Sequence, residues 1–292
     1  GGGLGKFDPK EIGPTDVQKN NGVIDYVAEN EKDATNIAKK ILSYFQGDIK
    51  DWKADDQKKL SNIMPKDRRW SYPVRDIIKI ISDIEQFTEI RADYGKGIVS
   101  CFIRIEGKPF GLLANDSQHL GGAIDSEGAD KATSFIEMCS EYGLPIISLV
   151  DTPGFMVGPD SEKEGAVRRM SNLFKIGSKV KVPLTAIFLR KGYGLGAQAM
   201  VGGSLHEPVY TAAWPTGEFG AMGLEGAVKL GFKKELEKIE DNSKREELFN
   251  SLVEKLYDKG KAIEAAAHLE IDAVINPSET RSVILKSQKT LV

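Results

Sequence analysis

The residues best suited to chemistry in this chain are the ones with the least side chain. Residues 192–197 read GYGLGA, directly after an apolar run (Val182, Leu184, Ala186, Ile187, Phe188, Leu189) that is broken by Arg190 and Lys191. The run has the length and β-rich composition of a buried strand. A strand that gives way to bare glycine backbone offers N–H groups to an anion or a carbonyl oxygen. Three readings fit the six residues. Gly192, Gly194 and Ala197 match G-x-G-x-x-A, the dinucleotide fingerprint. A Rossmann unit, however, continues into a long apolar helix with a ribose-binding acid about twenty residues on. Here Gly202 and Gly203 cut the following helix within two turns. A tight turn at positive φ needs glycine without any ligand. A backbone oxyanion site would use the same amides as donors.

Two more turns of this kind follow apolar or hairpin segments. Asp151-Thr152-Pro153-Gly154-Phe155 ends the run PIISLV. Asp151 reads either as a catalytic group or as the cap of a Pro-Gly turn, the commoner use of Asp there. The apolar Phe155, Met156 and Val157 are unusual for a loop and suit a pocket wall or an interface. The segment LGGAID, residues 120–125, is the third. The histidines, His119, His206 and His268, have no Cys or carboxylate at ligand spacing, so no metal site is expected. There is no G-x-S-x-G and no Walker A motif. Fixed N–H dipoles without a side-chain nucleophile suit a barrier dominated by a developing enolate or ureido oxyanion.

The elements around these turns are legible in outline. Residues 22–28 read as a short strand burying Val23, Ile24 and Val27, and residues 30–45 as an amphipathic helix capped by Asn30 or Asp33. Residues 47–67 are polar and aperiodic, with Pro65, and read as a linker holding a domain boundary. A helix follows Pro73, with Ile77, Ile78, Ile80, Ile81 and Ile84 at helical spacing. Residues 97–105 and 109–114 alternate around Glu106-Gly107-Lys108 as a hairpin. Then come a helix over 128–142 stopped by Gly143, the strand 145–150, a helix over 164–178 and the strand that leads into GYGLGA. Every turn of interest thus lies at a strand's C-terminal end, where open α/β folds place ligands. Beyond it the pattern predicts a short strand in 206–214, a glycine-rich helix over 218–230, a charged helical hairpin over 233–256, an alanine-rich helix over 261–269 and a last helix capped near Ser278.

Composition narrows the function classes. At 292 residues, 40% hydrophobic and 28% charged, the chain can bury a large core as one or two domains. A net charge of −3 argues against a general nucleic-acid binder. Cys101 and Cys139 lack C-x-x-C spacing and read as reduced core thiols. No apolar run reaches the ~18 residues of a membrane span. The opening GGGLG has neither a signal peptide nor an initiating Met, which suits a cytoplasmic protein whose sequence starts mid-gene.

The ordered motifs carry a resemblance. VDTPGF at 150–155, RKGYGLGA at 190–197 and AWPTGEFGAMGLEGA at 213–227 resemble the carboxyltransferase (β-type) subunit of biotin-dependent acyl-CoA carboxylases. That family includes propionyl-, acetyl- and methylcrotonyl-CoA carboxylases and glutaconyl- and methylmalonyl-CoA decarboxylases. The likeness runs from GPTDVQKNNGVIDYVAENE at 13–31, through YPVRDIIKII at 72–81, to AAAHLEIDAVINPSETR at 265–281. It implies an α/β fold of the crotonase-like ββα superhelix (ClpP/crotonase) type. Residues 1–60 would be the tail of an N-terminal carboxyltransferase domain with its linker, and 61–292 the C-terminal, biotin-side domain. The biotin-side oxyanion hole would map onto the backbone of Gly194, Leu195, Gly196 and Ala197, with Tyr193, Gln198, Pro153, Gly154 and Phe155 contacting the cofactor. The substrate would be an acyl-CoA.

Biotin would arrive on a separate carrier, since no A/V-M-K-M biotinylation motif is present. The implied partners are biotin carboxylase and biotin carrier subunits or domains, the N-terminal carboxyltransferase domain and further copies of the chain, with no nucleic acid and no transmembrane segment. Carboxybiotin would release CO2 in a dry pocket, and an acyl-CoA enolate would capture it. The reverse, decarboxylating direction and a non-catalytic assembly half are the alternatives. The family often has R-K-x-Y-G-G-A-Y-D, so Leu195 stands where Gly is common and Gln198 where Asp is common.

Overall fold

The computed structural model describes residue 3 and residues 5–289, so Gly1, Gly2 and Leu4 of the glycine-rich opening, and Thr290, Leu291 and Val292 at the other end, lie outside the described residues. The chain starts with two helices, α1 (Thr15–Asn20) and α2 (Glu31–Ser43), and a third, α3 (Val74–Ile81), leads into the sheet. Three strands follow, β1 (Phe87–Ile90), β2 (Ile98–Ile105) and β3 (Lys108–Asn115), then α4 (Ser126–Glu141) and β4 (Ile146–Thr152). After α5 (Pro159–Lys163) and α6 (Ala166–Gly177) come β5 (Leu184–Tyr193), α7 (Gly194–Met200), β6 (Tyr210–Ala213) and β7 (Glu218–Gly220). The chain closes with α8 (Leu224–Gly231), α9 (Lys233–Glu237), α10 (Asn242–Gly260), α11 (Ala262–Ala267), β8 (Ala273–Val274) and α12 (Thr280–Lys289).

The strands form one sheet in the order β1-β2-β3-β4-β5-β6-β8, with β7 pairing β5 beyond the point where β6 ends. The β1–β2 and β2–β3 pairs are antiparallel and the rest parallel. Both faces are covered. From β2, Ile98 and Phe102 enter a layer with Phe135 and Ile136 of α4 and Met170 and Leu173 of α6. The intervening Val99, Cys101 and Ile103 enter the opposite layer with Ile77, Ile78 and Ile81 of α3, Trp214 and Ile284. A two-residue alternation buried on both sides explains why these strands read as continuous apolar runs.

The local signals held where short-range chemistry decides. The hairpin turn is the two residues Glu106 and Gly107, both at positive φ, and the Asp83 carboxylate accepts from both amides (3.0 and 2.7 Å). The Asn30 side chain caps α2 by accepting from the Asp33 amide. Elsewhere tertiary contacts prevailed. Residues 22–28 form no strand, and Val23 and Val27 are exposed. No residue of α2 is fully buried; its apolar face packs on the core only in part, through Ile41, and the chain docks mainly through Tyr44 and Phe45, just beyond it. The polar stretch 47–67 contains a 3-10 turn, Gln57–Asn62, that buries Leu60. Strand β1 went unread, although Thr88 and Ile90 bury one face of an alternating tetrapeptide. The glycine-rich segment from 218 begins as β7, because the end of β5 supplies ladder partners before α8 starts.

Candidate active site

Strand β5 does not stop at Leu189. It continues through Arg190, Lys191 and Gly192 to Tyr193, and the glycine turn opens α7 at Gly194. The extension is possible because its charges are neutralised internally. Asp151, fully buried at the end of β4, accepts from Arg190 Nη2 (2.9 Å) and from the Lys191 amide (3.0 Å), and Lys191 Nζ lies 3.7 Å away. Arg190 also donates to the Trp70 carbonyl (2.6 Å) and stacks on the Tyr72 ring at 4.9 Å. Asp151 therefore does not cap the Pro-Gly turn. Thr152 does, its hydroxyl accepting from the Gly154 amide at 3.1 Å. Burial strips water from the Lys191 ammonium and lowers its pKa, an effect that Asp151 partly opposes. Asn115 Oδ1 accepts from the Asp151 amide (3.1 Å) and ties the end of β3 to the same point.

The three bare turns meet here. Lys191 Nζ donates to the Gly121 carbonyl. Ile124 donates to the Gly154 carbonyl (3.0 Å), and Met156 donates back to Ile124 (2.8 Å). A Cβ on Gly122 would lie 2.3 Å from the Asp151 carbonyl oxygen, and a Cβ on Gly196 would lie 2.7 Å from the Gly154 Cα and carbonyl carbon and 2.9 Å from the Phe155 nitrogen. Gly194 adopts φ +60°, and a Cβ there would meet the Ala221 carbonyl oxygen at 2.8 Å. Contact requires glycine at both Gly194 and Gly196, and at Gly194 the backbone conformation requires it as well. No side chain caps α7, and the amides of its first turn, which include Gly194, Leu195 and Gly196, have no intrahelical partner to donate to.

Each residue singled out in the sequence can now be placed. Tyr193, Gly196 and Ala197 are buried, while Leu195 and Gln198 are exposed. Pro153, Gly154 and Phe155 lie across from the α7 start, with Phe155 against Phe174 (6.2 Å between centroids). A cavity of about 450 Å3 flanks the turn, lined by Gly192, Gly194, Ala197, Gln198, Phe219 and Ala221 among others. The dinucleotide reading loses its helix, since α7 ends at Met200 and Gly202 and Gly203 both have positive φ. Among the described residues no group of three His, Cys, Asp or Glu side chains has metal-binding geometry. His119 sits 3.5 Å from Asp125, and His268 Nδ1 lies 2.8 Å from the Glu264 carbonyl.

Sequence reasoning missed Arg190, Lys191, Asn115 and Glu218. Charges of opposite sign at the ends of two adjacent apolar runs, Asp151 and Arg190-Lys191, were the available signal. The site brings three glycine-rich turns together over a buried ion pair, Asp151 with Arg190. Gly194 and Gly196 let the start of α7 pack directly on the backbones of Ala221 and Gly154.

Residues 8–292 match the model of the carboxyl transferase domain family. The methylmalonyl-CoA carboxyltransferase 12S subunit of Propionibacterium freudenreichii subsp. shermanii is 33% identical over 277 residues, covering 90% of this chain and 51% of that protein. The propionyl-CoA carboxylase carboxyltransferase subunit of Haloferax mediterranei is 31% identical over 291 residues, covering 96% of this chain and 55% of that protein. Among solved structures, a single-chain, multi-domain long-chain acyl-CoA carboxylase superposes with a TM-score of 0.91 at 50% identity, covering 98% of this chain and 29% of that one. The transcarboxylase 12S hexamer, solved with methylmalonyl-CoA bound, gives 0.86 at 29% identity, covering 98% of this chain and 56% of that one. The chain thus spans about half the length of the curated relatives it matches.

Proposed function

The chain belongs to the carboxyl transferase domain family and has its crotonase-like α/β fold, and from that premise we propose that it is the biotin-receiving half of a biotin-dependent acyl-CoA carboxyltransferase. The observation that carries the reading is the seating of Gly196 on Gly154, which sets two amide-bearing turns against each other beside an uncapped helix start. Biotin on a carrier protein supplies the activated carboxyl group. The residues of this chain would hold it: the backbone amides of Gly194, Leu195, Gly196 and Ala197 would donate to its carbonyl oxygen, Gln198 borders the cavity, Tyr193 backs the turn, and Pro153, Gly154 and Phe155 lie across from the α7 start. Negative charge that grows on an oxygen at this place meets fixed dipoles that need not reorient, which is worth several kcal/mol in a water-poor site. The acyl-CoA α-carbon that accepts the carboxyl group would be presented by a further carboxyltransferase domain.

Biotin carboxylase and biotin carrier subunits or domains are the partners this role requires, in a homo-oligomeric assembly. A cytoplasmic setting agrees with the free, buried thiols of Cys101 and Cys139. Exchanging Gly196 for Val, in the full-length protein, tests the reading. The new side chain must push the two turns apart, so acyl-CoA-dependent transfer should fall ~100-fold or more, the cost of losing an oxyanion donor. Circular dichroism should stay as in the unaltered protein, because the clash is confined to the sheet's rim. Retained transfer would overturn the assignment.

A further inference from the structure

Behind the glycine turn lies a second polar cluster that the backbone-donor reading does not use. Tyr193 ends β5 and occupies the position just before α7, so its placement sets where the Gly194 amide begins. Its ring lies over β7: a Cβ on Gly220 would meet Tyr193 Cδ1 and Cε1 at 3.4 Å. Two residues earlier on β7, on the same face of the strand, is Glu218, paired in the ladder with Lys191. Both side chains are buried, at 2% and 1% exposure. Among the described residues, neither the Tyr193 hydroxyl nor either Glu218 oxygen has a hydrogen-bond partner beyond the other of the two. Burial raises the pKa of both groups, and the Glu218 charge raises that of Tyr193 further.

The counter-charge comes from a distant part of the chain. Arg68 Nη1 lies 3.6 Å from Glu218 Oε2, and the same guanidinium donates to Glu225 Oε1 (2.7 Å) and sits 5.5 Å from the Tyr257 ring centroid. A carboxylate held in such a place destabilises the fold unless it is paired, and an apolar side chain would pack there at less cost. Its value must then lie in what it holds.

We propose that Glu218, counter-charged by Arg68, is a positioning residue that fixes Tyr193 and, through it, the amides that open α7. The proposal rests on the transferase reading above but is separable from it. In the full-length protein, Glu218→Gln and Tyr193→Phe should each lower kcat for transfer about tenfold while KM for acyl-CoA stays within twofold. Hydrogen exchange at the amides of 194–197 should quicken in both variants, with the central strands unchanged. If both variants keep the parent kcat and the parent exchange at these amides, the proposal fails. It also fails if exchange rises throughout the sheet and KM rises with the loss of kcat, since Glu218 would then serve stability alone. Should Glu218→Gln not fold, Tyr193→Phe, which removes a single oxygen, decides. Absence of transfer in the parent protein would overturn the functional reading, and the exchange measurement would still judge the positioning role.

Discussion

At the scale of single residues, two buried charges have measurable consequences. Asp151 answers Arg190 and Lys191 with no solvent nearby. In Asp151→Asn the Arg190 guanidinium loses its buried counter-charge, keeping only the Trp70 carbonyl and the Tyr72 ring. Breaking such a pair from one side costs about 3 kcal/mol or more, which urea unfolding should register as a lower midpoint. Lys131 is the other case. It is 1% exposed, and its ammonium donates to the Tyr94 carbonyl at 3.0 Å. Burial pushes its pKa down to about 8, from ~10.4 in an unfolded chain. The folded state therefore resists the proton. As pH falls from ~10.4 to ~8, the unfolded chain binds it first and stability drops, by on the order of 3 kcal/mol, then stays level below that window. Lys131→Met should be more stable than the parent protein at pH 7, with the gap closing towards pH 10. Urea titrations of both proteins at the two pH values check this, and an unchanged gap would contradict it.

At the scale of elements, the N-terminal segment is attached by few strong contacts rather than by a broad apolar face. Arg104, 1% exposed on β2, donates to the carbonyls of Gly47 (2.9 Å), Gly107 (2.5 Å) and Ser43 (2.6 Å) and lies 5.3 Å from the Tyr44 ring centroid. Tyr44 stacks on Phe102 and its hydroxyl lies 3.1 Å from that of Thr88. Arg104→Met would leave the Gly47 carbonyl without a donor, at about 1–3 kcal/mol if it stays buried and unpaired, while the Gly107 and Ser43 carbonyls would keep the amides of Ile49 and Gln46. Because α2 itself buries none of its residues, the loss should appear as local opening. Hydrogen exchange is expected to rise over residues 31–49 and to stay slow in β2–β5. A uniform increase would mean that the segment is integral to the main core. The sequence showed the helix and its apolar stripe, but amphipathic spacing states which side is apolar and not how deeply it is buried, and here only Ile41 of the stripe packs on the core.

At the scale of the whole molecule, the sheet gathers its chemistry on one rim. The ends of β3, β4 and β5 deliver Asn115, Asp151 and the 190–197 segment to the same place, and residues 68–72 cross that rim, held by Arg190, Ser117 and Glu218. Exposed apolar side chains surround it, among them Leu120, Met156, Val157 and Leu195. A surface of this kind suits a divided site completed by another domain. The 292-residue chain alone is accordingly expected to show no acyl-CoA-dependent transfer to or from free biotin, and the full-length protein to show it. Turnover by the 292 residues alone would mean that they carry both halves of the chemistry.

What the sequence determined by itself was whatever rests on local chemistry. The apolar runs, the Asn30 cap, the Glu106-Gly107 hairpin turn and the three glycine-rich turns after strands were all readable, because each depends on a few neighbouring residues. So was the family, through motifs ordered along nearly the whole chain. Only the tertiary structure decided that β5 runs on through Arg190 and Lys191, since their burial requires Asp151 on a neighbouring strand, 39 and 40 positions away. It also decided that the 218–220 segment is a strand, because its partner is the extension of β5. The glycines acquired their meaning in the same way. A sequence can state that Gly196 has no side chain, but the reason it must have none is the backbone of Gly154, which only the packing of two strand ends brings within 2.7 Å of where a Cβ would be.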